Sequence, residues 1–376
     1  MTSIITEKIG SEYSGDWKWS GIIKGRDNCF YCLPYHADQI LKIDPSNDET
    51  KLVGEEYKYN GDLKWCNGLA HGDFIYGIPS YANQFLKYNT KTEISELVGG
   101  DLVIGEPYGK WISGAVADDG CFYCFPYQHS RIIKFNPNDD TTIFVGEEMK
   151  SYFSKFSGTI KAKNGCLYGI PYSASRVAKF NVATQNVTFI GDEYKGGRKW
   201  KGGVEGMDGN IYGVPYLHDK WLKIDIATER TSLVGDNLSK YGNNKYNGGV
   251  IGVDCNIYAI PEGANKIIKF NTATQEITEV GKCYDRNYKW SGGVLHSNGY
   301  IYCAPFDNNK VLKIKTNHIC DEGNALLESN ASLAEFNTYI DTYQFEYIYV
   351  THRALYDRLV SYRNNLIVET AKFALE

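Results

Sequence analysis

The chain has 376 residues, 43% of them hydrophobic and 14% aromatic, and its 40 Lys and Arg against 45 Asp and Glu leave a formal charge of −5. That balance excludes a global field attractive to nucleic acid or an anionic membrane. No apolar run reaches the roughly 20 residues that a spanning helix needs, so no transmembrane segment is expected.

The first residues, MTSIITEKIGSEY, lack the basic and then apolar profile of a secretory leader. A cytoplasmic or otherwise intracellular setting with reduced cysteines is therefore expected. The stretch SIITEKIGSEY resembles TKLVGEEY at 50–57, and Gly10 stands 44 residues before Gly54.

KWSGIIKGRDNCFYCLPY at 18–35 follows, and near-copies return at 199–216 (KWKGGVEGMDGNIYGVPY) and 289–306 (KWSGGVLHSNGYIYCAPF). The element Y-x-x-P recurs at Tyr31, Tyr76, Tyr123, Tyr168, Tyr212, Tyr258 and Tyr302, spaced 44 to 47 residues apart. A Lys-aromatic pair precedes each by 11 or 12 residues, the aromatics being Trp19, Trp65, Trp111, Phe156, Trp200, Tyr246 and Trp290. An apolar-Lys-apolar triplet follows around Lys42, Lys87, Lys134, Lys179, Lys223, Lys269 and Lys313. An apolar-Gly step then closes the period at Gly54, Gly99, Gly146, Gly191, Gly235 and Gly281.

Each period parses into four short strands, in the sixth copy GGVIGV, NIYAIP, KIIKFN and EITEV, separated by turns rich in Asp, Asn, Gly and Thr. Four strands at this period predict a β-propeller blade. The seventh copy stops after its third strand, at KVLKIKTNH, and the N-terminal SIITEKIG supplies the missing fourth. The predicted architecture is an all-β, seven-bladed propeller over residues 1–316, with its N-terminal strand closing the last blade and leaving no open edge.

Glycine pairs such as Gly202–Gly203 suit the crowded first strand beside the axis, and the preceding aromatic suits a wedge between blades. A rim reading competes. The Lys-aromatic segments and the post-proline loops are expected at one end of the ring, where Trp19, Trp65, Trp111, Phe156, Trp200, Tyr246 and Trp290 with His36, His129 and His218 would face a ligand or partner. The third-strand lysine is expected as an edge residue with a buried stem.

Cys29/Cys32 and Cys121/Cys124 form C-x-x-C pairs, but three residues apart on a strand their side chains point to opposite faces, so they are read as packing residues. No metal, cofactor or catalytic residue is assigned: P-loop, dinucleotide, G-x-S-x-G and H-E-x-x-H motifs are absent from the sequence.

From about Ile319 the repeat gives way to a segment without proline. There Leu355, Leu359, Tyr362, Leu366 and Phe373 recur at helical spacing. This predicts a small α-helical C-terminal extension over 317–376, docked on neighbouring blades or on a protein partner.

The order of elements, a Gly-containing strand, D/N-G-x-I-Y, then I-x-K-I-D-x-x-T, resembles the NHL, YncE and streptogramin-lyase type of propeller. The K-W-S-G-G-V…I-Y-x-x-P…L-K-I-D string is also similar to tandem repeats in uncharacterised proteins of diatoms and other algae and protists. The resemblance implies the blade over residues 1–316. In the lyases the chemistry depends on a histidine and acidic groups around a central metal, and no positions here match them. The expected function is a non-enzymatic interaction scaffold or structural subunit of a larger assembly. The alternatives are a lyase or hydrolase with a metal in the central channel near His129 and His218, or a multivalent small-molecule or glycan binder at the aromatic rim.

Overall fold

A computed structural model describes residues 5–58, 63–102, 109–149, 154–285 and 288–316. These form seven antiparallel four-stranded sheets, each with its strands in sequence order except the last. In that sheet Thr6–Ile9 lies outside Val311–Lys315, which continues into Tyr300–Pro305 and Trp290–Leu295. The closing register runs from Thr6 opposite Ile314 to Ile9 opposite Val311. The N-terminal strand therefore completes the seventh blade, as the register of Gly10 requires. The helical extension expected over 317–376, with Leu355, Leu359, Tyr362, Leu366 and Phe373, lies outside the described residues.

The sixth blade shows how the period becomes structure: Tyr246–Ile251, Ile257–Pro261, Ile267–Phe270 and Ile277–Val280 are its four strands from axis to rim. The second strand is buried on both faces, and the outermost exposes Thr278 and Glu279 and buries Val280. Buried apolar side chains form seven clusters, each built by two adjacent blades; Tyr212, Val214 and Trp221 of the fifth blade, for example, pack on Tyr246, Ile257 and Phe270 of the sixth. No blade owns a core alone, which is why the ring must close.

Two repeated devices join the blades. At the rim, the residue after the fourth-strand glycine donates its N–H to a Thr or Ser opening the next blade's outer strand, as in Asp192 to Thr231 Oγ1 at 2.9 Å and Glu55 to Ser95 Oγ at 3.1 Å. At the axis, the first strand carries a bulge, between Trp200 and Gly203 in the fifth blade. Gly202 has φ +79° and a Cβ there would stand 2.9 Å from the Gly248 Cα, so neighbouring backbones nearly touch around the channel.

The third-strand lysines are not edge residues. Their strand is paired on both sides, and each lysine stands opposite the Y-x-x-P tyrosine, as Lys223 does opposite Tyr212. Lys42, Lys134, Lys223 and Lys269 pair with an acid in their own blade's first turn, Asp27, Asp119, Asp208 and Asp254. Lys87, Lys179 and Lys313 take Asp140, Glu229 and Asp48 from the next blade's outer turn instead. Cys29, Cys32, Cys121 and Cys124 are buried and unbonded to one another.

Candidate functional site at the channel mouth

The Lys-aromatic pair builds the wall around the channel. The seven aromatics are at most 2% exposed. The indole N–H of Trp19, Trp65, Trp111, Trp200 and Trp290 donates to a carbonyl on its own blade at 2.8 to 3.0 Å. They are wedges in the core, and a ligand on the rim meets none of them.

The preceding lysines, Lys18, Lys64, Lys110, Lys155, Lys199, Lys245 and Lys289, are at most 4% exposed. Each Nζ donates to a carbonyl of the loop after the previous blade's proline, as Lys64 does to His36 O at 3.2 Å and Lys199 to Ala174 O at 2.8 Å. Lys245 also meets Asp219 at 2.8 Å. Burial lowers Lys110, Lys199 and Lys289 to about 8.

Backbone bonds complete this stitching. Each repeat lysine donates its N–H to the post-proline carbonyl of the preceding blade and accepts from the post-proline N–H of its own. Around the fifth blade these bonds are Lys199 N to Tyr172 O, 2.7 Å, and Tyr216 N to Lys199 O, 2.9 Å. The result is a hydrogen-bonded collar passing from blade to blade around the opening.

Side chains that differ between blades decorate this collar. The residue before each lysine is Trp17, Leu63, Gly109, Ser154, Arg198, Asn244 or Tyr288. Its carbonyl accepts from the N–H two residues past the proline in every blade. Six of these residues hold positive φ, Trp17, Arg198 and Tyr288 among them. The post-proline residue is Tyr35, Ser80, Tyr127, Tyr172, Tyr216, Glu262 or Phe306. Tyr127, Tyr172 and Tyr216 follow one another at 5.6 and 5.7 Å, and Phe306 meets Tyr35 at 5.9 Å. The residue after each aromatic, one level deeper, is Ser20, Cys66, Ile112, Ser157, Lys201, Asn247 or Ser291. Part of this level is a hydrogen-bonded chain, Asn247 Nδ2 to Ser291 Oγ at 2.9 Å, Ser291 to Ser20 at 3.3 Å and Ser20 to Cys66 at 3.1 Å.

Two charges break the pattern, and the fold brings them together. Glu262 stands where most blades have an aromatic, and Lys201 where the others have a small or neutral residue. Lys201 Nζ donates to Glu262 Oε2 at 2.7 Å, and the Tyr216 hydroxyl donates to Oε1 at 2.8 Å. Glu262 is 1% exposed while the Lys201 side chain is 22% exposed. Burial opposes the Lys201 charge, but Glu262 and the tyrosine rings outweigh it and keep the ammonium protonated. Burial pushes the Tyr216 hydroxyl well above its usual range, so it remains a donor to the carboxylate. Above the pair, Arg198 donates to Tyr172 Oη at 3.1 Å, Tyr216 Oη at 3.4 Å and Asn244 Oδ1 at 3.2 Å.

These groups surround a cavity of about 430 Å³, lined by Tyr35, Tyr81, Tyr127, Tyr172 and Phe306 above and by Lys201, Asn247 and Ser20 below. None of the histidines expected on the rim lines the cavity; His36 packs beside it, with its ring 5.3 Å from Trp17 and 5.7 Å from Tyr35. His129 is 5% exposed, packs at 4.6 Å on Trp111, and accepts from Arg131 N–H at 3.0 Å. His218 does the same with Trp200 and Lys220, and burial lowers its pKa. Among the described residues no three His, Cys, Asp or Glu side chains gather as metal ligands.

No family model and no curated protein matches this sequence. Solved structures do match its fold. A streptogramin B lyase superposes with a TM-score of 0.66 at 17% identity, covering 84% of this chain and 98% of that one. The virginiamycin B lyase of Staphylococcus aureus gives a TM-score of 0.66 at 14% identity, over 84% of this chain and 100% of the other. This chain is a seven-bladed β-propeller similar in fold to these lyases. At such identities the likeness carries the fold and no reaction.

Lys201 and Glu262 escape a reading built on what repeats, because they are departures from it. Aligning the seven copies shows them as isolated charges in columns otherwise neutral.

Proposed function

We propose that the protein is a binding module that holds a small organic ligand in the mouth of its central channel. The observation that carries this reading is the Lys201–Glu262–Tyr216 group. A charged pair is set into a wall of tyrosines at positions where the repeat needs no charge, beneath a cavity of about 430 Å³, within the size range of ligand sites. Buried ion pairs contribute little to stability over apolar replacements, so a role in recognition accounts for the pair better than a role in folding.

An assembly role through the rim draws on aromatics that are buried and on a tail outside the described residues, so the channel carries the proposal. On this reading the algal and protist repeat proteins that it resembles share the collar and differ in the side chains at the mouth.

The test is a thermal-shift and native mass-spectrometry screen of a metabolite collection on the full chain, repeated with Tyr172→Ala and with the double variant Lys201→Met/Glu262→Leu. A ligand that stabilises the native protein and neither variant supports the reading. Ligands that act equally on all three proteins, or no ligand at all, overturn it.

A further inference from the structure

We infer that the ligand of the channel mouth is an organic anion, a small molecule carrying one carboxylate or similar acidic group on a flat apolar body. This rests on the reading of the mouth as a binding site and names its chemistry.

The sign of the charge comes from what the cavity wall presents. Among the described residues lining it, Lys201 alone carries a formal charge. Its counter-charge is turned away: Glu262 is buried behind the wall, with one oxygen occupied by Lys201 and the other by the Tyr216 hydroxyl. Lys201 has three N–H donors and spends one on Glu262, so an incoming acid can accept from the same ammonium without displacing the carboxylate.

Arg198 strengthens the bias. Its three partners are neutral oxygens, and among the described residues no carboxylate lies within ion-pair distance of it. The guanidinium sits 5.4 Å from the Tyr216 ring centroid at the exposed edge of the mouth, and its two remaining N–H groups, both on Nη1, are left to donate to an acid. The collar adds seven buried ammonium groups around the opening. Asp219, 2.8 Å from Lys245, and Asp307, whose Oδ1 accepts from Trp17 N–H at 2.8 Å at the seam of the first and last blades, offset part of that charge. A cationic ligand would face Lys201 and Arg198 with the nearest carboxylate already enclosed.

The flat apolar body follows from the upper wall. Tyr127 and Tyr172 on one side and Tyr35 and Phe306 on the other present ring surfaces, and the cavity between them accommodates a group of drug-like size or smaller.

Three probes of one shape separate the possibilities: phenylacetate, phenylacetamide and phenethylammonium, titrated into the full chain and followed by saturation-transfer NMR. Phenylacetate is expected to bind roughly tenfold more tightly than either of the others, with the preference shrinking as salt is raised. Arg198→Gln, an exposed substitution, should weaken phenylacetate several-fold and phenylacetamide much less. Lys201→Met/Glu262→Leu should abolish the preference. If the amide or the ammonium binds as well as the carboxylate and Tyr172→Ala weakens it, the anion assignment is overturned and the mouth stands. If none of the three binds, or Tyr172→Ala leaves binding intact, both are overturned.

Discussion

At the residue scale, the Lys201–Glu262 pair has a cost that can be measured. Removing one partner strands the other charge away from water, while removing both leaves an apolar contact beneath Tyr216. Lys201→Met alone, which leaves the buried Glu262 carboxylate without its cation, should therefore destabilise the protein by about 3 kcal/mol, and adding Glu262→Leu should restore most of that loss. Urea titration of the two variants checks this. A double variant no more stable than the single one would mean that the pair is not coupled as the 2.7 Å contact indicates. The repeat lysines were legible as a motif but not as buried groups: hydropathy places an ammonium at the surface. Only the neighbouring blade's carbonyls, which no local pattern shows, make burial tolerable.

At the element scale, the collar has a pH signature. Lys110, Lys199 and Lys289 sit at about 8 when folded, below their ordinary 10.5, because burial disfavours the charge. Between those values the unfolded chain binds more protons, so these groups make stability rise with pH. Buried thiols do the reverse. Burial raises Cys29 from 9.0 to about 11 and Cys255 to about 12, and lifts Cys32, Cys66, Cys121, Cys124 and Cys303 as well, so these thiols outnumber the three lysines and stability falls above the unfolded value. Tyr123, raised to about 12 mainly by burial, adds to the fall above 10. The urea midpoint should climb from about pH 8 to a maximum near about pH 9 and then drop. Lys199→Met should flatten the climb, and a midpoint that already falls between pH 8 and 9 would contradict the buried state of these lysines. Strands were the most legible elements, since each apolar stretch quoted from the sixth copy became a strand within a residue or two. The inner bulges were not, because they arise from seven backbones meeting at an axis, a constraint absent from any single copy.

At the scale of the whole molecule, closure depends on four residues, Thr6–Ile9. Deleting residues 1–10 uncovers the edge of Val311–Lys315 and opens the cluster in which Ile9 packs with Trp19, Tyr302 and Val311. The shortened chain should melt at a clearly lower temperature and self-associate in light scattering, and a peptide of residues 1–11 added in trans should reverse both. An unchanged melting temperature and a monodisperse particle would show that the first and last blades hold without the strand. Ring closure was legible because the orphan at one end matches the gap at the other. The charged pair in the mouth was not, because Lys201 and Glu262 lie 61 residues apart and meet only once the fifth and sixth blades are side by side.

The carbonyl of the residue ahead of each buried lysine makes the same bond in all seven blades, whatever side chain the residue carries. That shared bond is indifferent to the side chain, so Gly109 and Trp17 can occupy equivalent places. Duplication could therefore copy the frame intact while drift rewrote the inscription around the opening, one blade at a time. The same separation makes positions 17, 63, 109, 154, 198, 244 and 288 a ready-made library surface for a binder of chosen specificity on an unaltered scaffold.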